Sequence, residues 1–85
     1  MTVFVRVFLK EGVLDPQGKA INDALHRLGY ANVVEVRAGK IFRIEMENAE
    51  PQAALEAARK LADQLLANPV IEDFTVELAT AGAVR

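Results

Sequence analysis

The run Lys10-Glu11-Gly12-Val13-Leu14-Asp15-Pro16-Gln17-Gly18-Lys19-Ala20-Ile21 joins two patterns of different period, and that junction decides the fold. Upstream, Val3, Val5, Val7 and Leu9 alternate with Phe4, Arg6, Phe8 and Lys10, a period of two that predicts a strand with one face in a core. Downstream, Ala20, Ile21, Ala24, Leu25 and Leu28 share one stripe of a helix, with Lys19, Asn22, Asp23, His26 and Arg27 opposite. Asp15 suits the N-cap and Pro16 the first helical position, where its fixed φ fits and its missing N–H costs nothing. Gly29 suits the C′ position. Gly18 is the exception, because Gly in a helix costs about 1 kcal/mol against Ala and no local pattern requires it. Another backbone or a partner surface is expected to approach there, and a Gly18→Leu chain is expected to keep its fold while assembling poorly.

Further along, Val34 and Val36 alternate with Glu35 and Arg37, and Phe42, Ile44 and Met46 alternate with Arg43, Glu45 and Glu47. These predict two strands in a hairpin closed at Ala38-Gly39, a weaker turn than Asn-Gly. Pro51 opens a second helix with a seam of Ala54, Ala58, Leu61 and Leu65, flanked by Leu55, Ala62 and Leu66, and Asn68-Pro69 stops it. Phe74, Val76 and Leu78 mark a last strand. The order is βαββαβ, in two similar halves whose helices open at Asp15-Pro16 and Glu50-Pro51. The predicted class is α+β: a two-layer sandwich, an antiparallel sheet with two helices on one face. Residues 1–79 are expected to form a single domain and 80–85 a flexible tail. Phe4 and Phe8 take the outward phase of the first strand, so a second copy is expected to cover them, as a homodimer or tetramer.

Composition narrows the functional classes. The 85 residues contain no cysteine, which removes disulfides, thiolate metal sites and Cys nucleophiles together. Net charge is −2, and the ten Lys and Arg are scattered among twelve acids, so the clustered positive field that nucleic-acid binding relies on is missing. No apolar run approaches the roughly 20 residues of a membrane helix. Met1-Thr2 leads straight into a strand, with no basic segment or apolar run of a secretory signal, and a cytoplasmic location is expected.

A search for chemistry returns little. His26, the one histidine, falls opposite the apolar stripe and has no second His or Cys with which to share a metal, and no Ser or Cys to activate. Glu45 and Glu47 share a strand face with Arg43, but a wet strand face lacks the burial that tunes a catalytic carboxylate. Gly12 and Gly18 flank the start of a helix without the spacing of a phosphate loop, and Asp15 brings negative charge to the place a phosphate would take. Phe4, Phe8 and Phe42 lack the spacing of base-stacking aromatics. No catalytic, cofactor-binding or metal residue is assigned. The candidate partner or subunit contacts are Phe4, Phe8, Lys10, Gly12, Asp15, Gln17, Gly18 and Lys19.

The segment Lys10 to Lys19 resembles the PurS family, small subunits of phosphoribosylformylglycinamidine synthase. The strand Val3 to Leu9, Leu28-Gly29-Tyr30, Val34-Glu35-Val36-Arg37 and Gly39-Lys40 add support. The resemblance implies a non-catalytic subunit of an ATP-dependent ligase and glutamine amidotransferase complex of purine biosynthesis. In such a complex a glutaminase subunit of PurQ type releases ammonia. A synthetase subunit of PurL type, using ATP and Mg, converts formylglycinamide ribonucleotide (FGAR) to the amidine (FGAM). The small subunit bridges the two and supports ammonia transfer, binding no cofactor, nucleic acid or membrane itself. Two other readings stand beside it: an ACT-like ligand-sensing module, which shares the βαββαβ order, and an acylphosphatase-like enzyme, whose signature loop is missing.

Overall fold

The alternation of the first nine residues forms β1, Thr2–Leu9, the middle of a three-stranded antiparallel sheet between β2, Gly39–Glu45, and β3, Glu72–Leu78. The computed structural model describes residues 1–79, so the tail expected at 80–85 lies outside the described residues. Register follows from the period of two: Val3 faces Ile44 and Leu78, Val5 faces Phe42 and Val76, and Val7 faces Lys40 and Phe74. Val3, Val5 and Val7 are essentially inaccessible, and burial of each stabilises the sheet by roughly 1.5–3 kcal/mol.

Their cover is α2, Pro51–Leu61, whose Ala54 and Ala58, together with Ala62 just beyond, have zero exposure. Methyl side chains at this spacing let the helix backbone lie close on the sheet, while Leu55 and Leu66 fill the flanks. The last turn widens into a π-helical turn, Ala62–Leu66, closed by the Ala67 N–H donating to the Ala62 carbonyl at 2.8 Å. The helix ends before Asn68-Pro69, as its sequence requires. There Asn68 Oδ1 accepts from the Val70 N–H at 3.0 Å and turns the chain into β3. No helix among the described residues is long and apolar enough to cross a membrane.

The first helix, α1, Pro16–Arg27, starts and stops where expected. At its end Gly29 has φ +102°, the Gly29 N–H donates to His26 O and the Tyr30 N–H donates to Leu25 O, the paired bonds of a Schellman motif. Its position differs from expectation, however. Only Gly18 of α1 is buried, and α1 adds no residue to the core cluster.

The strand expected over Val34–Arg37 and its hairpin do not form; the order is β1-α1-β2-α2-β3, with residues 33–38 outside any ladder. Neither Ala38 nor Gly39 takes the positive φ that a two-residue hairpin turn needs. Gly39 is instead the first residue of β2, opposite Phe8, and the Phe8 ring occupies the space a Cβ there would need. The α+β class and the antiparallel sheet stand, with α2 alone covering the sheet. The outline is correspondingly open, with a radius of gyration of 15.8 Å against about 12 Å expected for 85 residues.

Candidate functional site

The Lys10–Lys19 run is held by bonds from three directions. The Lys10 N–H donates to Ile71 O at 2.8 Å, extending the β1–β3 pairing past its last rung. The chain then turns, with the Val13 N–H donating to Lys10 O at 3.1 Å and Gly12 at φ +86°, a conformation that L side chains rarely adopt. Arg37 seals this turn from outside: its guanidinium donates to the carbonyls of Val13 at 3.1 Å, Lys10 at 3.2 Å and Leu9 at 3.5 Å.

Asp15 does two jobs. Its Oδ1 accepts from the Gly18 N–H at 3.0 Å, capping α1, and its Oδ2 accepts from the Ala38 N–H at 2.7 Å, pinning the segment that leads into β2. Asp15 as a whole is 7% exposed. The Gly18 N–H, then the Ala38 N–H, hold its carboxyl below the usual aspartate range; burial pushes the other way and is outweighed, with the Arg37 charge and the Gln17 N–H adding to the depression. A carboxylate whose folded pKa is lowered stabilises the fold fully above the ordinary aspartate pKa. That contribution shrinks as pH falls through the ordinary value and is gone below the lowered one. Asp15→Asn is therefore expected to melt lower than the parent chain at neutral pH, with the gap closing in acid. Thermal melts of both chains across that range check it, and a gap that does not depend on pH would contradict the role given to the charge.

Gly18 lies against its own chain. A Cβ there would drive into the Val36 carbonyl oxygen and sit 2.6 Å from Asp15 Oδ2. The close approach anticipated from the sequence is real, and the neighbour is residue 36 of the same chain. His26 also proves to be tied down: its Nε2 lies 2.6 Å from Val33 O, to which it donates. Residues 33–36 thus run back along α1 from His26 to Gly18, on the side that the sequence marked as polar.

The eight candidate contacts divide accordingly. Asp15 and Gly18 face inward and shape the loop. Phe4, on the outward phase, is nonetheless buried, its register placing it between Arg43 and Glu77. Phe8 is 45% exposed, on the same open sheet face as Ile41 and the Arg6–Glu77 ion pair. Lys10 pairs with Asp73 at 2.6 Å and Lys19 with Asp23 at 3.2 Å, while Gly12 and Gln17 are exposed. Arg37 was missed as a site residue because Val34-Glu35-Val36-Arg37 reads as ordinary strand alternation. Among the described residues no group of three His, Cys, Asp or Glu could hold a metal ion. The arrangement fixes a loop and presents a surface.

Comparison with known proteins gives one consistent result. The family model described as PurS, phosphoribosylformylglycinamidine (FGAM) synthase, matches residues 2–80. The phosphoribosylformylglycinamidine synthase subunit PurS of Mycobacterium leprae is 44% identical over 72 residues, covering 85% of this chain and 87% of that protein. The crystal structure of Methanocaldococcus jannaschii PurS, one of the subunits of formylglycinamide ribonucleotide amidotransferase in the purine biosynthetic pathway, superposes with a TM-score of 0.79 at 41% identity, covering 89% of this chain and 92% of that one. A chain in the structure of PurLQS from Thermotoga maritima superposes with a TM-score of 0.78 at 31% identity, covering 89% and 94%.

Proposed function

Because this chain belongs to the PurS family of phosphoribosylformylglycinamidine synthase subunits, we propose that it works by contact alone, joining the synthetase and glutaminase subunits of that complex and supporting the passage of ammonia between them. Its membership of a ligase and amidotransferase complex comes from the family, and its partners are the PurL-type and PurQ-type subunits that accompany the similar chain of PurLQS. The ACT-like alternative is not favoured.

The observation that carries the reading is the Lys10–Lys19 loop. Arg37 ties its backbone down from outside and Asp15 from within, while Gly12, Gln17 and Lys19 stay exposed on its surface and Phe8 and Lys10 lie at its base. A loop ordered before binding loses little entropy when a partner docks. Phe8 with Ile41 supplies an apolar patch beside it, and Lys10, Gln17 and Lys19 supply a polar rim. Asp15 and Gly18 belong to the same surface indirectly, by holding the loop from beneath, and Phe4 lies on the sheet face of Phe8, four residues back along β1. ATP and Mg are used by the synthetase, this chain binds no cofactor, and the complex operates in the cytoplasm.

Without a cysteine the chain lacks the thiol on which a glutaminase of this type depends. The purified subunit is accordingly expected to show no ATPase, glutaminase or phosphatase turnover. Activity that survives several columns and vanishes on substitution of one residue here would overturn that expectation. Docking is tested by titrating the chain into the synthetase and glutaminase subunits and following complex formation by sedimentation. Phe8→Ser and Lys19→Glu should weaken association while leaving the far-UV spectrum unchanged, and undiminished assembly by both variants would remove this surface from the interface.

A further inference from the structure

We infer that the hollow around Phe8 and Ile41, on the open face of the sheet, receives an acidic segment of a protein partner. An apolar side chain of that segment rests on Phe8 and Ile41, and a neighbouring Asp or Glu carboxylate meets the arginines on the β2 side. The inference rests on the docking role proposed above and supplies the chemistry of what docks. Register sets the layout of this face. β1 presents Phe4, Arg6 and Phe8; β2 places Arg43, Ile41 and Gly39 beside them, and β3 places Glu77, Thr75 and Asp73 on the other side. The hollow has a volume of about 280 Å³ and is lined by Arg6, Phe8, Arg37, Gly39, Lys40 and Ile41.

Its apolar part is built from the strands themselves. The Phe8 ring leans onto Gly39, into the space that a Cβ would take there, and is still 45% exposed, with Ile41 at 44%. The charges around it are sorted by side. On the β3 side both acids are engaged, Glu77 by Arg6 and Asp73 by Lys10. On the β2 side stand Arg37, in the segment leading into β2, and the exposed Arg43, and neither makes an ion pair among the described residues. Glu45, the next residue of β2 on this face, accepts from Thr2 Oγ1 at 2.5 Å. Arg37 directs Nη1 and Nη2 at the carbonyls of Val13, Leu9 and Lys10, and its Nε–H has no acceptor among the described residues.

These charges select the occupant. A basic segment would meet two guanidinium groups while the acids of β3 are already paired, and like charges brought together at an interface are strongly unfavourable. A purely apolar segment would cover Phe8 and Ile41 but strip water from the arginines without a counter-charge, and an unpaired charge taken out of water is costly. A segment carrying an apolar side chain and a carboxylate answers both halves of the face, with the apolar contact at the centre and the charge at the rim.

The test titrates the full chain into the purified synthetase and glutaminase subunits at low and high salt and follows association by sedimentation. Association of the parent chain should weaken as salt is raised. Arg43→Glu should weaken it about tenfold at low salt and remove most of the salt dependence, while Arg43→Lys, which keeps the charge, should stay within about threefold of the parent. Ile41→Ser should cost about tenfold at both salt concentrations. If Arg43→Glu does not fold, Arg43→Gln replaces it, with the same loss of salt dependence expected. An Arg43→Glu chain that binds as tightly as the parent, or more tightly, overturns the inference. If Phe8→Ser still weakens assembly in that case, docking at this face stands and only the acidic occupant is lost; if neither variant weakens assembly, the docking reading falls as well. Should Arg43→Glu change the sedimentation of the isolated chain and leave its association with both subunits untouched, the occupant is a second copy, and the inference is equally overturned.

Discussion

Gly18→Ala and Gly18→Leu are both expected to lower the melting temperature of the isolated subunit, by similar amounts. The obstruction is the Cβ itself, which meets the Val36 carbonyl and the Asp15 carboxylate, so the larger side chain adds little to the damage. Helix propensity pushes the other way, by about 1 kcal/mol for Ala. Forcing a group into a filled site usually costs about 1–3 kcal/mol, with more when the obstacle is backbone. The contact also displaces the residues that Asp15 binds, the Gly18 and Ala38 N–H groups. With a net loss of roughly 1–2 kcal/mol, a chain of this size should melt about 5–15 °C lower. Differential scanning calorimetry of the two variants checks this, and a Gly18→Ala chain that melts higher than the parent would show that propensity outweighs packing at this position. The view of Gly18 from sequence alone, that substitution spares the fold and harms only assembly, is corrected: Gly18 packs within its own chain, and any loss of assembly follows from displacement of residues 33–38.

How much of this could be read from the chain depends on whether local pattern or tertiary contact decides each element. β1, α1, β2, α2 and β3 were legible because each carries its own period, and the helices open and close at their own signals: Asp15, Pro16 and Gly29 for α1, and Pro51 and Asn68-Pro69 for α2. The class followed from their order. Residues 33–38 were not legible, because alternation says that one face wants cover and does not say which edge supplies it. The same limit hid Arg37, whose role depends on three carbonyl groups brought together by the turn at Gly12. Phe8 proved accessible as the outward phase required, its cross-strand neighbours being the small Gly39 and Asp73, whereas Phe4, four residues away on the same face and flanked by Arg43 and Glu77, is buried. At the candidate site, the contact candidates came from exclusion and resemblance; the geometry separates those that hold the loop, Asp15 and Gly18, from those that it exposes, Gly12, Gln17 and Lys19.

Reconstitution with the synthetase and glutaminase subunits tests the central claim most directly, since a connecting subunit without chemistry of its own must still be needed for the coupled reaction. Conversion of FGAR to FGAM is measured twice, once with glutamine and once with free ammonia, with and without this chain. Glutamine-dependent turnover needs all three subunits held together, while ammonia from solution bypasses the glutaminase. Omitting the chain is expected to lower the glutamine-dependent rate at least about tenfold, equivalent to ~1.4 kcal/mol or more of lost barrier reduction, and the ammonia-dependent rate by a smaller factor. Adding the chain back should restore both. Equal glutamine-dependent rates with and without the chain would contradict the account.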